Sequence, residues 1–513
     1  MNSISYFGIR YSKLVWTTTM KKLFLLIAMM FIFSNQFYSQ QNQTKELTSE
    51  EKILSAFHSI SSNTILDYIK ELCSDKFEGR LTGSKGYDTA AEWSISLFKK
   101  WGLKLAGDAG TFLQKFSNPY TLVLDAGELS LNNANGKKYY EYEKEYYSGA
   151  TSDAGTATAE VVYVGYGITA PELGYDDYAN VDVKGKIVLL NPEIPISPDR
   201  EPELFMKWRP YSFHDYKVKN AFDHGAVGML YNYHIVNPNC IFIKGFLKAD
   251  IGKAVTDDIF SGTGKTIDDC LKLIRTERKP QSFNTAKIVT IKCNTKHFPD
   301  GIGTNVIGKI EGTDPVLKDN PIIIGAHLDH LGMSHKLMPG ANDNASGDAA
   351  LFAIAEAFSK VKLTFKRSII FILFGAEEQG VKGSEFYLKH PNVPAADIKA
   401  FINLESVGRG ENIGAGSGKN YPNLFEYFER ANNKFVHRVM TASQNANLAR
   451  PRQDAAHFLW AGVPTISFGV YGAPPLDVPT YHTTHDIPDY IFPETIEDLA
   501  KIVFLATLEM ANE

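Results

Sequence analysis

Long apolar runs in the C-terminal part of the chain constrain its fold more than any other feature. Three segments are almost entirely apolar: PIIIGAH (321–327), RSIIFILF (367–374) and KAFINLE (399–405). Between the first two, ASGDAALFAIAEAFSK (345–360) has apolar residues at helical spacing. Strands of this kind are buried on both faces, which is typical of parallel sheets connected by helices. The sequence therefore predicts an α/β fold with a mostly parallel central sheet and helices on both faces.

The pattern before this region predicts two further segments. Residues 47–104 are mainly helical, and we expect 45–125 to form the N-terminal part of the same domain as residues 291–513. Residues 126–290 alternate short β-rich runs with turns, which indicates an inserted β-rich domain. The length of 513 residues fits two or three domains.

The N-terminus has the pattern of a secretory signal. Lys21 and Lys22 precede an apolar run over 23–33, and a polar stretch with Ser39 follows. We expect a signal peptide within 1–40, with Met20 as an alternative start, and export to the periplasm or the medium. The run is short for a bilayer span, so no stable span is expected after cleavage, although an uncleaved anchor is the alternative.

Charge and cysteine content exclude some classes of protein. A formal net charge of −5 argues against a nucleic-acid partner. The four cysteines include no CxxC pair, so we assign them no metal role; if the protein is exported, they allow up to two disulfides in three pairings.

Five polar segments stand at the ends of predicted strands or in glycine-containing loops. They are GAHLDH (325–330), PGANDNASG (339–347), GAEEQG (375–380), FINLESVGR (401–409) and YHTTHD (481–486). Ligands bind at the carboxyl ends of the strands in open α/β sheets. Three of the segments end strands, and the other two are loops within reach of the same edge. We therefore expect one site that contains His327, Asp343, Glu377, Glu378, Glu405 and His482.

Two histidines with several carboxylates form a donor set that suits zinc. The absence of cysteine from the set favours an open, catalytic site over a structural one. Four carboxylates are too many for one tetrahedral ion, so two bridged ions account for them better. Asp343 is the natural bridge, because Gly340 and Gly347 flank its loop and allow a close approach of the backbone.

Two short patterns suggest supporting roles. Asp329 lies two residues after His327 on an extended chain, where its carboxylate can orient the imidazole. Glu377 and Glu378 are adjacent, so one can bind metal while the other faces a water molecule as a general base. Taken alone, an HxD pair is usually an ordinary histidine, an EE pair is usually helix surface, and Asn344 or Ser346 is a helix cap. The joint order of the segments favours a metal site.

At these residues the sequence resembles metallopeptidase family 28, which includes bacterial leucyl aminopeptidases and glutamate carboxypeptidase. The order of the five segments is highly specific. FEGRLTGSKG (77–86) also resembles family members, and 164–190 resembles the protease-associated domain that many of them carry. The resemblance implies the zinc exopeptidase fold and two zinc ions per chain, held by His327, Asp343, Glu378, Glu405 and His482. It implies that Asp343 bridges the ions, that Glu377 is the general base and that Asp329 supports His327.

The sequence departs from the family pattern at two positions. Glu405 stands where aspartate is common, and two alternatives follow: the longer arm still coordinates zinc, or it weakens one zinc site. RQDAAHF (452–458) replaces a common Ser-Asp-His pattern, retaining Asp454 but placing the histidine at His457.

The predicted activity is hydrolysis of the first residue from a peptide with a free α-amine. A carboxypeptidase on the same scaffold is an alternative, and it would need cations such as Arg409, Arg450 and Arg452 to hold a terminal carboxylate. A glutaminyl-cyclase-like acyltransferase with one zinc ion and an inactive receptor-like protein are the others. We expect 126–290 to shape access to the cleft without performing chemistry.

Overall fold

The computed structural model describes residues 47–133, 136–444 and 452–513. The predicted signal segment 1–40 and Arg450 lie outside the described residues. The architecture below is that of the compact unit Leu54–Glu513, and the helix Ser49–Ser59 begins shortly before it. Among the described residues, no helix combines the length and apolarity needed to cross a bilayer.

The larger sheet has nine strands in the described part of the chain. In spatial order, eight of them are Lys104–Leu105, Ile302–Ile310, Ile369–Phe374, Ile322–His327, Ala400–Leu404, Thr465–Gly472, Gly410–Gly416 and Met440–Ala442, and Leu113–Ser117 pairs with Ile302–Ile310 as the ninth. The predicted strands 321–327, 367–374 and 399–405 thus occupy the centre of this sheet.

The centre of the sheet is parallel and its flanks are mixed. Ile322–His327 pairs in parallel with Ile369–Phe374 on one side and with Ala400–Leu404 on the other, and Ala400–Leu404 pairs in parallel with Thr465–Gly472. Ile302–Ile310 and Gly410–Gly416 join this core antiparallel. The predicted α/β fold is confirmed, and its parallel pairing is concentrated in the buried central strands.

Helices cover both faces of the larger sheet. On one face, Phe358 lies 6.4 Å from Phe371 of the sheet and 4.8 Å from Phe504 of the C-terminal helix, measured between ring centroids. On the other face, Phe458 stacks on Phe401 at 3.8 Å. The helices of this part of the chain are Ser49–Ser59, Ser62–Leu72, Lys85–Lys100, Ser346–Val361, Lys382–Lys389, Pro422–Ala431, Ala455–Trp460 and Pro493–Met510.

A second sheet of eight strands is formed within residues 128–293. Its strands in spatial order are Gly136–Tyr139, Glu128–Asn133, Phe283–Cys293, Gly155–Tyr163, Ile187–Leu190, Gly228–Tyr231, Leu247–Ile251 and Tyr146–Ser148. Its helices are Pro202–Trp208, His214–Asp223, Lys253–Phe260 and Ile267–Glu277.

The two ends of this second segment lie side by side. Tyr120–Val123 precedes it and pairs antiparallel with Thr295–Phe298, which follows it. The short hairpin strands Met333–Ser334 and Lys336–Leu337 extend the same small sheet. Adjacent entry and exit strands are consistent with an insertion near 126–290, and its status as a separate protease-associated domain stays a prediction.

Candidate metal centre

Three of the predicted ligand segments begin where central strands end. His327 is the last residue of Ile322–His327, Glu405 follows Ala400–Leu404 directly, and Glu377 and Glu378 come shortly after Ile369–Phe374. The strand that ends in His327 lies between the other two and runs parallel to both. Their carboxyl ends therefore meet at one edge of the sheet, as the sequence predicted.

The other two segments are loops fixed to each other at the same edge. Asp486 accepts the backbone N–H of Asn342 at 2.9 Å and that of Asp343 at 3.0 Å. Gly340 has φ +60°, and a Cβ there would lie 2.4 Å from the backbone oxygen of Asp343. The loop that carries Asp343 thus requires glycine at 340 for its close turn.

One cluster of donor atoms surrounds His327. Its Nε2 lies 3.3 Å from Oδ1 of Asp343 and 3.2 Å from Oε1 of Glu405. All three residues are buried. Their ligand atoms are close enough together to hold one metal ion.

A second cluster uses the other oxygen of Asp343. Nε2 of His482 lies 3.4 Å from Oδ2 of Asp343 and 3.0 Å from Oε2 of Glu378. His330 approaches the same carboxylate, with its Nδ1 2.9 Å from Oε1 of Glu378. Asp343 therefore presents Oδ1 to one imidazole and Oδ2 to another, which is the arrangement that a bridging ligand needs.

The two imidazoles are held in the same way through their second nitrogens. Nδ1 of His327 donates to the backbone oxygen of Asp329 at 3.1 Å, and Nδ1 of His482 donates to the backbone oxygen of Val236 at 3.0 Å. A hydrogen bond at Nδ1 leaves Nε2 of a neutral imidazole available as a ligand. Nε2 of His482 and Oε2 of Glu405 are buried and make no hydrogen bond within the described residues.

Asp329 acts through a different contact from the one that the sequence suggested. Its Oδ1 lies 3.7 Å from Nδ1 of His327, which is too long for a hydrogen bond. The carboxylate instead accepts the backbone N–H of Glu377 at 3.1 Å and that of Glu378 at 3.2 Å. The side chain of Asp329 thus positions the Glu377–Glu378 segment, while its backbone oxygen orients His327.

Burial and mutual repulsion of the carboxylates oppose their ionisation in this site. Burial raises the pKa of Glu377 well above its usual range, and the charges of Glu405 and Glu378 add to this rise. Burial also raises the pKa of Glu405, and that of Asp454 to about 7. Burial opposes ionisation of Glu378, but the charge of His482 and the hydrogen bond with His330 hold its pKa lower. A buried set with this excess of carboxylates fits divalent cations.

Comparison with known proteins agrees with this geometry. Residues 305–507 match the sequence profile of peptidase family M28. An aminopeptidase of Pseudomonas aeruginosa is 25% identical over 358 residues, which are 68% of this chain and 58% of that protein.

The chain is therefore similar to peptidase family M28 over residues 305–507.

The predicted resemblance is therefore confirmed. The aminopeptidase from Aneurinibacillus sp. strain AM-1 has a TM-score of 0.62 and 23% identity, over 89% of this chain and 95% of that one. A zinc aminopeptidase from Bacillus subtilis has a TM-score of 0.60 and 20% identity, over 88% and 96%. Both likenesses are of fold. The matched segments span between 16% and 58% of the length of the first curated relatives.

The site opens into a cleft of about 630 Å³. Asp343, Glu377, Glu378, Glu405 and His482 all line it. Part of the lining comes from the segment 128–293, which forms the second sheet and is called here the second sheet's segment. Its lining residues include Phe213, His214, Tyr233, Ile235 and Asn237.

Two of the three arginines proposed for a terminal carboxylate lie in the described part of the chain. Arg452 lines the cleft, with its Nη2 3.6 Å from Oε1 of Glu193. Arg409 donates to the backbone oxygen of Pro474 at 2.7 Å and is not among the cleft residues. Lys382, which the sequence analysis did not single out, is a second cation in the lining.

Three residues of the site were missed because their contacts are made by loops that meet only in the fold. His330 is the second histidine of GAHLDH, and Asp486 ends YHTTHD. Arg80, from FEGRLTGSKG, is fully buried and donates to the backbone oxygens of Leu72, Leu328, Pro339 and Gly340. Each lies in one of the polar motifs of the sequence, and an ionisable side chain inside such a motif is the feature that could have indicated a role in the site.

Proposed function

We propose that this chain is an aminopeptidase that uses two zinc ions. The proposal rests on the position of the Asp343 carboxylate between two imidazoles. Its Oδ1 lies 3.3 Å from Nε2 of His327, and its Oδ2 lies 3.4 Å from Nε2 of His482. His327, Asp343 and Glu405 would hold one ion, and Asp343, Glu378 and His482 the other. The aminopeptidases among the relatives support the activity, and the Bacillus subtilis structure supports zinc.

Zinc ions in these positions would polarise the scissile carbonyl and lower the pKa of a water molecule. Glu377 lines the cleft and is the carboxylate left over from the two ligand sets. We assign it the role of general base, which takes the proton from the water and passes it to the leaving amine.

The cleft supports a preference for a free α-amine. Glu377, Glu378, Asp343 and Glu405 line one end of the cavity, and an amine can bind beside carboxylates. The segment 126–290 forms part of the wall and would limit the size of the substrate. We further propose that the protein is exported, on the basis of the N-terminal signal pattern.

The test is a set of chromogenic amino-acid amides and short peptides with free or blocked ends. We expect free N-termini to be required and amidation of the far carboxyl to matter little. A requirement for a free C-terminus would contradict the proposal and favour a carboxypeptidase that uses Arg452 or Lys382.

Metal analysis of the active protein is the second test. We expect close to two zinc ions per chain and a reversible loss of activity on chelation. A single firmly bound ion would favour the glutaminyl-cyclase-like alternative, and full metal loading without hydrolysis of any peptide would favour a receptor-like protein.

A further inference from the structure

The loop that carries His482 is attached to the second sheet's segment by its backbone. Nδ1 of His482 donates to the backbone oxygen of Val236 at 3.0 Å, and the backbone N–H of Val236 donates to the backbone oxygen of His482 at 3.2 Å. The two residues thus make reciprocal hydrogen bonds across 246 positions of sequence. The first of these bonds fixes the ring orientation of a proposed zinc ligand.

A second attachment lies two residues further along the same loop. Oγ1 of Thr484 donates to the carboxylate of Glu143, which also accepts from Nζ of Lys336 at 2.5 Å. The side chain of Glu143 is only 15% exposed, so this contact is largely sheltered from water. Tyr147, close to Glu143 in sequence, contacts the ring of His234 at 5.2 Å between centroids. The residues around Glu143 and Val236 therefore form one continuous surface against the loop.

The far end of the loop continues into the other ligand segment. Asp486 accepts the backbone N–H groups of Asn342 and Asp343. The loop therefore contacts the second sheet's segment at one end and Asp343, which offers an oxygen to each imidazole, at the other. A displacement of the loop would move Nε2 of His482 away from Glu378 and Asp343, which are 3.0 and 3.4 Å distant.

We propose that Val236 and Glu143 are positioning residues for the metal position that contains His482. This inference rests on the proposed function, because it takes His482 as a ligand. The segment 126–290 then does more than shape access to the cleft: it holds one ligand in place and governs the affinity of one metal position. The imidazole of His327 is oriented by the backbone oxygen of Asp329, so the metal position of His327 is connected to this loop only through Asp343 and depends on it much less.

The experiment is zinc binding to the full chain by equilibrium dialysis, with apparent affinities from competition with a chelator. Val236→Pro removes the N–H donated to His482, and Glu143→Ala removes the acceptor of Thr484. We expect each to weaken one zinc position by about 10- to 100-fold while the other keeps its affinity, as is typical for residues that orient a ligand. Glu143→Gln retains an acceptor for Thr484 and should restore most of the affinity.

Glu141→Ala is the matched control. Its carboxylate pairs with Lys144 on the surface, in the same segment as Glu143, and its loss should leave both affinities unchanged. If Val236→Pro does not fold, Glu143→Ala and Thr484→Val decide the question. Two zinc ions bound to these variants with unchanged affinity would overturn the inference. A wild-type chain that binds fewer than two ions would instead contradict the proposed function.

Discussion

Oδ1 of Asp329 accepts the backbone N–H of Glu377 at 3.1 Å, and this contact ties two ends of neighbouring parallel strands together. The neighbouring N–H of Glu378 donates to Oδ2 of the same carboxylate at 3.2 Å. A single buried side chain thereby sets the position of both members of the glutamate pair. Asp329 therefore holds the backbone of the proposed base in place.

Asp329→Asn should lower kcat by about 10- to 100-fold, in the range typical of residues that support a metal site. The amide has one acceptor oxygen, so its NH₂ group would face one of the two backbone N–H groups and displace the pair. Steady-state kinetics with an amino-acid chromogenic substrate would measure the loss. Asp397→Asn, at an exposed position, is the control and should change nothing. An unchanged kcat in Asp329→Asn would show that the pair needs no such support.

Glu377→Gln and Glu378→Gln should separate the roles of the adjacent glutamates. The first should keep both metal ions and lower kcat by about 100-fold or more, because it removes the proposed general base. The second should lose metal affinity, because Oε2 of Glu378 lies 3.0 Å from Nε2 of His482 in the second cluster. Elemental analysis alongside kinetics distinguishes the two outcomes, and the reverse result would exchange the assigned roles.

His330 and His482 both approach Glu378, and their substitution should have unequal effects. His482→Ala should remove one zinc ion, since its Nε2 also lies 3.4 Å from Asp343. His330→Ala should keep two ions with a lower affinity: its Nδ1 lies 2.9 Å from Oε1 of Glu378, and His330 could itself hold a metal ion together with Asp343 and Glu378. Zinc stoichiometry measures both. Loss of an ion in His330→Ala, with two retained in His482→Ala, would make His330 the ligand.

Glu405→Asp should retain both metal ions and most of the activity. Aspartate is common at this position in the family that the sequence resembles, and both carboxylates bind zinc. The backbone N–H of Glu405 donates to the oxygen of Phe468 at 3.0 Å, which keeps the start of the side chain in place. Loss of one ion in this variant would show that the site depends on the longer arm.

Arg80→Met should lower the free energy of unfolding by at least about 3 kcal/mol, because it leaves buried backbone oxygens without their charged donor. These oxygens include those of Leu328 and Gly340, at 3.0 and 3.1 Å. Urea titration followed by tryptophan fluorescence would measure the change. The exposed Arg430 pairs with Glu426 and Glu509, and Arg430→Met should leave the free energy nearly unchanged. Equal effects of the two substitutions would contradict the role given to Arg80.

The central strands and the ligand segments were predictable because local patterns determine them. The short, β-branched apolar run RSIIFILF between turn signals favours a buried strand, and polar residues directly after such a strand stand at its carboxyl end. The meeting of His327, Glu378 and Glu405 follows from the order of parallel strands. The ligand roles given to these residues stay proposals until metal is measured.

The contacts of Asp329, Val236 and Asp486 could not be predicted in the same way. Each is a hydrogen bond to a backbone group in a distant segment, and any residue type supplies a backbone oxygen or N–H. The pattern HxD suggested a contact between neighbours, whereas the carboxylate of Asp329 reaches across to another strand end. The register of loops against one another is set by tertiary packing, which a single sequence does not reveal.

The pairing of Leu113–Ser117 with Ile302–Ile310 has a consequence for the order in which the chain folds. The strands Lys104–Leu105 and Leu113–Ser117 of the larger sheet pair with Ile302–Ile310, which is synthesised only after the whole segment 128–293. The described residues of that segment contain all eight strands of the second sheet. These strands can therefore pair with one another before Ile302–Ile310 has been synthesised. Contacts so distant in sequence slow folding and leave strand edges exposed in the meantime. Residues 104–117 are therefore the part of the larger sheet most exposed to non-native strand pairing until residues 302–310 become available.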